Sequence, residues 1–276
     1  MKKKGYYMLF IPCVILVAYF MIVPLIGTIL PTFTNTTDGM FSAYTSFFKD
    51  EYMMSIFIRT IKISLLSSII CMFIGVPVAY FISRTSKKLR GLFIALTVFP
   101  ILTNSVVRSF AWMSILGKNG VINSLLIKLN LITEPLSLLY TEGAIIIGTV
   151  YIFLPLMIIS LVGVMENVEN DLLEAAESLG ANKLKAFFKV IFPLSLPGLI
   201  VGTVLVFTGS LTAYTTPQLL GGNKNTVLAT LIYQKTMTLG DWQGAAVVAT
   251  IMIIVTLIVI KGINFLASRL DKRGVS

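Results

Sequence analysis

The stretch that decides the fold is Glu174-Ala175-Ala176-Glu177-Ser178-Leu179-Gly180, followed after a basic and aromatic run by Phe192-Pro193. It is a polar segment with helix-start and helix-stop chemistry, and apolar runs flank it on both sides. Asp171 is placed to cap a first helix, with Glu174 three residues on as in a capping box. Ala175 and Ala176 are strong helix formers. Gly180 suits the position just past a helix end, where the backbone turns left-handed. Asn182 is placed to cap a second helix, and Pro193 is expected to end it, because the residue before a proline avoids the α region. Leu184, Phe187 and Phe188, spaced i, i+3, i+4, are expected to share one face. On physical grounds alone, residues 166–196 are either a solvated loop carrying a membrane-surface helix or a docking platform for a soluble partner.

Outward from that segment the chain is apolar. It is 56% hydrophobic and 12% charged, against about 25% charged for a soluble domain. A spanning helix needs about 20 apolar residues. Six such segments occur, at roughly Met8–Leu30, Ile58–Ser83, Leu92–Leu116, Gly143–Val164, Pro197–Leu220 and Gly244–Leu266. The first is too long for a signal-peptide core of about 7–15 residues and is read as an uncleaved span. The expected fold is all-α and polytopic, with six transmembrane helices. Most of the 22 basic residues fall in alternate gaps: Lys2 to Lys4; Arg84, Lys87, Lys88 and Arg90; Lys183, Lys185 and Lys189; then Lys261, Arg269, Lys272 and Arg273. Six spans put all of these on one side, which should be cytoplasmic, with both termini there. An odd number would scatter them. The net charge of +10 is therefore read as topology, not as nucleic-acid binding. Of the outer connections, residues 32–57 are expected to hold short or interfacial helices, Lys118 to Glu142 a loop broken by Pro135, and Gly221-Gly222-Asn223-Lys224-Asn225 a turn.

Several chemistries are excluded. There is no histidine, which removes the commonest general base and metal ligand. No phosphate-binding G-x-x-x-x-G-K-[ST] loop occurs, and none of the 12 acidic residues falls mid-span, where a proton or cation relay would need one. Cys13 and Cys71 both lie in apolar runs, so no disulfide framework is expected. No catalytic, metal or cofactor-binding residue is assigned, and the chain is not expected to be an enzyme. Uphill transport would need energy from another subunit.

The inner segment resembles the EAA loop of bacterial ABC importer permeases, whose pattern is E-A-A, three residues, G, nine residues, I-x-L-P. Glu174, Ala175, Ala176, Gly180 and Pro193 match at the right spacing. Val190 and Phe192 stand for Ile and Leu and keep both sites apolar. The resemblance covers about Thr60 to Leu266. It implies a single permease domain over residues 1–276, with a cytoplasmic coupling loop at 166–196, in a multi-pass protein of the bacterial cell membrane. It further implies a second permease subunit, two ATPase subunits that hold the ATP and magnesium, and an extracytoplasmic solute-binding protein. Glu174, Ala175, Ala176, Gly180, Leu184, Phe187, Phe188 and Pro193 are then the ATPase-coupling residues, with Glu174 orienting, capping or touching the partner.

Finer features are similar to the spermidine/putrescine branch of these permeases: Asn104 to Trp112, Leu173 to Gly180, Thr216 to Gly222, and Asp241-Trp242. That branch also resembles permeases for phosphonates and ferric iron. A self-sufficient channel or ion-coupled carrier is the alternative of a different class. Asn104, Arg108, Trp112, Tyr214, Asp241 and Trp242 are expected along the solute path, Asp241 and Trp242 by charge and cation–π contact with ammonium groups. Each has a plainer reading. Asp241 is equally a helix cap and Trp242 an interfacial anchor. Arg108 is equally a snorkelling side chain, a partner for Glu142 or Asp241, or a site for an anion. Asn104, Trp112 and Tyr214 are equally interhelical glue. Gly198, Gly202, Gly209 and Ala213 form a small-residue face suited to close packing, either against a second permease or within this chain.

Overall fold

The computed structural model describes residues 4–34, 39–169 and 171–270, and every regular element among them is helical. Lys2, Lys3, Asp38, Asp271, Lys272 and Arg273 lie outside the described residues, as do the side chains of Lys4 and Arg269. The chain divides into two compact units, residues 1–55 with 231–253, and residues 56–230 with 254–276.

In the first unit, α1 (Lys4–Ile29) is a long apolar helix followed by a single turn, α2 (Pro31–Thr34). The expected short helix is α3 (Ser42–Lys49). It is tied back by Tyr44, which stacks on Phe33 and shares a 2.6 Å hydrogen bond with Thr32. Helix α4 (Glu51–Ser83) starts here, capped by Asp50, whose Oδ1 accepts from the N–H groups of Tyr52 and Met53.

The second unit is built around one buried helix. In chain order it holds most of α4, then α5 (Lys87–Leu102), α6 (Ser105–Leu116), α7 (Val121–Lys128) and α8 (Glu142–Met165). These are followed by α9 (Asp171–Ser178), α10 (Lys183–Ala186), α11 (Phe192–Thr212) and α12 (Thr215–Gly221). After α13 (Leu228–Tyr233), α14 (Trp242–Leu270) runs through both units. Helices α5, α6, α11 and α12 all pack on α8. The main core joins Cys71, Ala79 and Ile82 of α4 to Met157, Leu161 and Met165 of α8, and to Leu199 and Val206 of α11. The α11 seam is close. A Cβ at Gly198 or Gly202 would sit 2.5–2.9 Å from Ser160, Val164 or Met157 of α8, and Gly209 lies against Phe153. The small-residue face therefore packs inside this chain; Ala213 falls past the helix end.

Two of the six expected spans differ from straight helices. Among the described residues, five helices are long and apolar enough to cross a membrane, and a sixth crossing exists only if the bent pair 87–102 and 105–128 is one broken span. The Leu92–Leu116 run thus turns through 93° at Thr103 and Asn104. The expected Pro197–Leu220 run also stops early, because Ala213 adopts an extended conformation and α12 turns away with Thr216, Pro217 and Leu220 buried. In the turn at residues 221–225, Gly222 has φ +61°, as its composition predicts.

Two ends of the second unit are defined by charge. At one, Arg90 pairs with Glu166 at 2.7 Å, and Arg84 Nη1 donates to the Val168 carbonyl. The gaps at 84–90 and 166–189, assigned to one side by charge, therefore meet at one end of the bundle, here termed the loop end. At the other, Glu142 is held by Arg59 at 3.2 Å and Lys62 at 2.8 Å, while Arg59 also reaches the Thr226 carbonyl.

Candidate functional site

The segment 171–196 forms two helices at a sharp turn. Helix α9 ends in a Schellman motif: Gly180 N–H donates to Glu177 O and Ala181 N–H to Ala176 O, with Gly180 at φ +84°. No atom lies within 4 Å of a Cβ built there, so glycine is required by the backbone, not by a neighbour. Asn182 caps the second helix, accepting from Lys185 N–H at 2.8 Å. Asp171 is the first residue inside α9, not the residue before it. It therefore acts on the helix dipole, and residue 170, where a cap would stand, lies outside the described residues.

The second helix does not end at Pro193. Residues 183–212 run as one 30-residue helix, about 45 Å long. Between α10 and α11 lies one π turn, Phe187–Ile191, in which Phe192 N–H donates to Phe187 O. Proline lacks an N–H and its ring crowds the carbonyl four residues back. It enters here at the first turn of α11, where the wider preceding turn accommodates it. The π turn also divides the apolar face expected for this helix. Phe187 turns inward onto Tyr80, ring centroids 4.9 Å apart, and joins the core with Leu173. Leu184 and Phe188 stay 71% and 62% exposed. At the tip, Leu179 is 89% exposed, and Glu174 and Ala175 are exposed beside it, while Ala176 is half-buried.

The bend in the third crossing is built from Asn104 and Arg108. Asn104 caps α6, its Oδ1 accepting from Val106 N–H at 2.9 Å and Val107 N–H at 3.4 Å. Arg108, only 6% exposed, donates from Nη1 to the carbonyls of Pro100 (2.8 Å) and Thr103 (3.1 Å) at the end of α5. A cation on orphaned C-terminal carbonyls suits both hydrogen bonding and the dipole. Arg108 thus serves the helix end; Glu142 is held by Arg59 and Lys62, and Asp241 by Lys235. Trp112 meets Tyr151 of α8 edge-on at 5.5 Å. Tyr214 sits in the two-residue joint between α11 and α12.

In the first unit, Asp241 does two things. Oδ1 accepts from Gly244 N–H at 2.7 Å, capping α14, and Oδ2 pairs with Lys235 Nζ at 2.8 Å. The Lys235 hydrogen bond holds this carboxyl below the usual carboxylate range, aided by Gly244 and opposed by burial. Asp241 lines a cavity of about 320 Å³ with Asp50, Ser46, Lys235 and Gln243. Trp242 does not line it and is 67% exposed. The cap reading of Asp241 is correct, and its place on a cavity wall stands beside it. Asp50, Ser46, Lys235 and Gln243 carried no motif. The Lys235–Asp241 pair spans a second π turn, Gln234–Thr238, so its spacing matches no regular helical period.

Residues 39–273 match the family described as binding-protein-dependent transport system inner membrane component. The chain belongs to this family. The permease is 33% identical over 265 residues to the spermidine/putrescine transport system permease protein PotB of Haemophilus influenzae, covering 93% of this chain and 92% of that one. It is also 33% identical to PotB of Escherichia coli, over 82% of each chain. Its fold matches a chain of a bacterial alginate ABC transporter, solved with an alginate pentasaccharide-bound periplasmic protein. The TM-score there is 0.80 at 19% identity, covering 99% and 98% of the two chains. The chain is therefore a permease subunit of an ABC importer, a multi-pass membrane protein and a transport component, not an enzyme. Its partners include, in general terms, a binding protein and an ATPase.

Proposed function

We propose that this permease forms half of a polyamine path and is driven through residues 166–196. The supporting observation is its 33% identity, over nearly the full length of both chains, to a permease named for spermidine and putrescine. On this reading it pairs with a second permease subunit and two ATP-hydrolysing subunits, which hold the nucleotide and magnesium. An extracytoplasmic binding protein delivers the solute, and both termini lie in the cytoplasm.

The coupling residues divide into two roles. Glu174, Ala175, Ala176, Gly180 and Leu184 form the docking tip, with exposed Leu179 at its apex. Phe187, Phe188 and Pro193 join that tip to the span, because the helix continues through the π turn without a break. On the path, the Asp50 and Asp241 carboxylates are placed to receive an ammonium group. Lys235 already holds one on Asp241 at 2.8 Å, so an arriving polyamine competes with a tethered cation of the same chemistry. Asn104 and Arg108 shape the path by fixing the bend. Trp112, Tyr214 and Trp242 are the aromatic faces offered along it.

The test is uptake of labelled spermidine, putrescine and a phosphonate by proteoliposomes holding the full transporter and its binding protein. Spermidine or putrescine should be taken up with ATP hydrolysis, and Asp241→Asn should raise the half-saturating concentration. Phosphonate uptake alone overturns the polyamine assignment. Uptake by the permease without ATPase subunits overturns the coupling role.

A further inference from the structure

At the loop end, α4 and the start of the long 183–212 helix meet at Tyr80 and Phe187 but do not close along their length. They leave an open groove of about 590 Å³. Phe73, Val76 and Tyr80 form one wall, and Lys183, Phe188 and Phe192 belong to the other. The lining is apolar apart from the Tyr80 hydroxyl and the Lys183 ammonium, and no carboxylate contributes to it. Lys183 takes part in none of the four ion pairs among the described residues.

The depth of the groove is informative. Phe73 lies 11 positions before Arg84, which follows the end of α4, or about 16 Å along the helix axis. That is close to half of a hydrocarbon core about 30 Å thick. With Arg84 taken as the level of the membrane surface, the groove runs from near that surface, at Tyr80 and Lys183, to about the bilayer midplane, where Phe73 is 71% exposed. It has the depth of one leaflet, an apolar length and a cationic mouth, with exposed Lys185 and Lys189 further along the same helix. A water-soluble ATPase reaches the tip at Leu179 but not Phe73. A neighbouring transmembrane helix would not need a lysine at the mouth.

We propose that this groove is a binding site for an anionic phospholipid of the leaflet on the loop side. One acyl chain lies along Phe73, Val76 and Phe192, and the phosphate sits at Lys183. The site bridges a fixed wall, α4, and the segment that joins residues 166–186 to α11. A lipid bound there touches both.

The test uses the full chain in nanodiscs containing phosphatidylglycerol or phosphatidylcholine that carries a photoactivatable acyl chain. Adducts are mapped by peptide mass spectrometry. Phosphatidylglycerol should label residues 73–80 and 184–192 about fivefold more than phosphatidylcholine, the preference expected of one membrane-surface cation. Lys183→Glu should bring the ratio to about one, and Lys183→Arg should keep it; monodispersity of both variants checks folding. Equal labelling by the two lipids in the unmodified protein overturns the proposal, since the groove then takes bulk lipid. So does absence of labelling together with cross-linking of Phe73→Cys to another protein chain, which would identify the groove as a subunit interface.

Discussion

The two interrupted helices of this permease carry the same signal and resolve it in opposite ways. Shortly after Pro100 the chain breaks at Thr103 and Asn104 and turns by 93°; at Pro193 a 30-residue helix, 183–212, carries on through a π turn. The difference lies in what satisfies the freed backbone groups. At the first site, side chains do it: Arg108 takes two carbonyls of α5 and Asn104 takes two N–H groups of α6. At the second, the backbone does it, by shifting one hydrogen bond from four residues to five. Side-chain substitution permits a corner. Backbone substitution keeps a rod, and π turns of this kind recur at functional positions.

The contrast can be broken most severely at the corner. Arg108→Met strips the donor from two part-buried carbonyls, at a cost of up to roughly 1–3 kcal/mol each. Thermal unfolding in detergent should show a large fall in midpoint, and Arg108→Lys should recover part of it. Next comes the rod's contact surface. Gly202→Val places a side chain where Ser160 and Met157 stand at 2.5–2.6 Å, an overpacking cost of about 1–3 kcal/mol. Reduced stability together with reduced uptake is expected. An unchanged melting midpoint would show that α8 and α11 do not pack as described.

The turn that feeds the rod should respond differently. Gly180→Val meets no clash but must hold φ +84°, a backbone cost of about 1–2 kcal/mol. The spans should insert normally, while ATP hydrolysis and uptake become uncoupled in the assembled transporter. Gly180→Asn should be milder, since asparagine tolerates the left-handed region. Pro193→Ala should hardly change stability. It restores an N–H, so the π turn can relax to α and rotate Leu184 and Phe188 relative to α11. Cysteine cross-linking from position 184 to position 73 would detect that rotation, and an unaltered pattern would mean that proline does not maintain the π turn.

The smallest effect expected is on pH. The Asp241 carboxyl is depressed in the folded state, so its pairing with Lys235 contributes above the ordinary carboxylate range and is lost as pH falls through the depressed value. Acid titration of the melting midpoint should show this loss in the unmodified protein and not in Asp241→Asn.

Legibility from sequence followed the kind of partner involved. Gly180 and Asn182 were readable because their roles are local: a positive φ and a cap three residues long leave a compositional mark. The apolar runs were readable because lipid demands them. The corner at Thr103 and Asn104 was hidden inside an apolar window that hydropathy cannot divide. Arg108's partners are backbone carbonyls, which every residue carries, so nothing in the sequence distinguishes them. The Lys235–Asp241 pair escaped because Lys235 lies in a π turn, so the six-residue spacing follows no regular helical period. The glycine face of α11 was legible as a contact surface, but its partner, α8, was not; small residues state that something comes close without stating what.

That close seam has a mechanical consequence. With α8 side chains packed directly against the backbone of α11 at Gly198, Gly202 and Gly209, the two helices have little room to slide or flex against each other. On the coupling role proposed above, a push delivered near Gly180 would enter a helix about 45 Å long that is clamped over its second half. It should emerge at the far end as rotation of the whole pair, a stiff lever with its fulcrum in the seam, its travel set by lever geometry more than by the elasticity of any one helix.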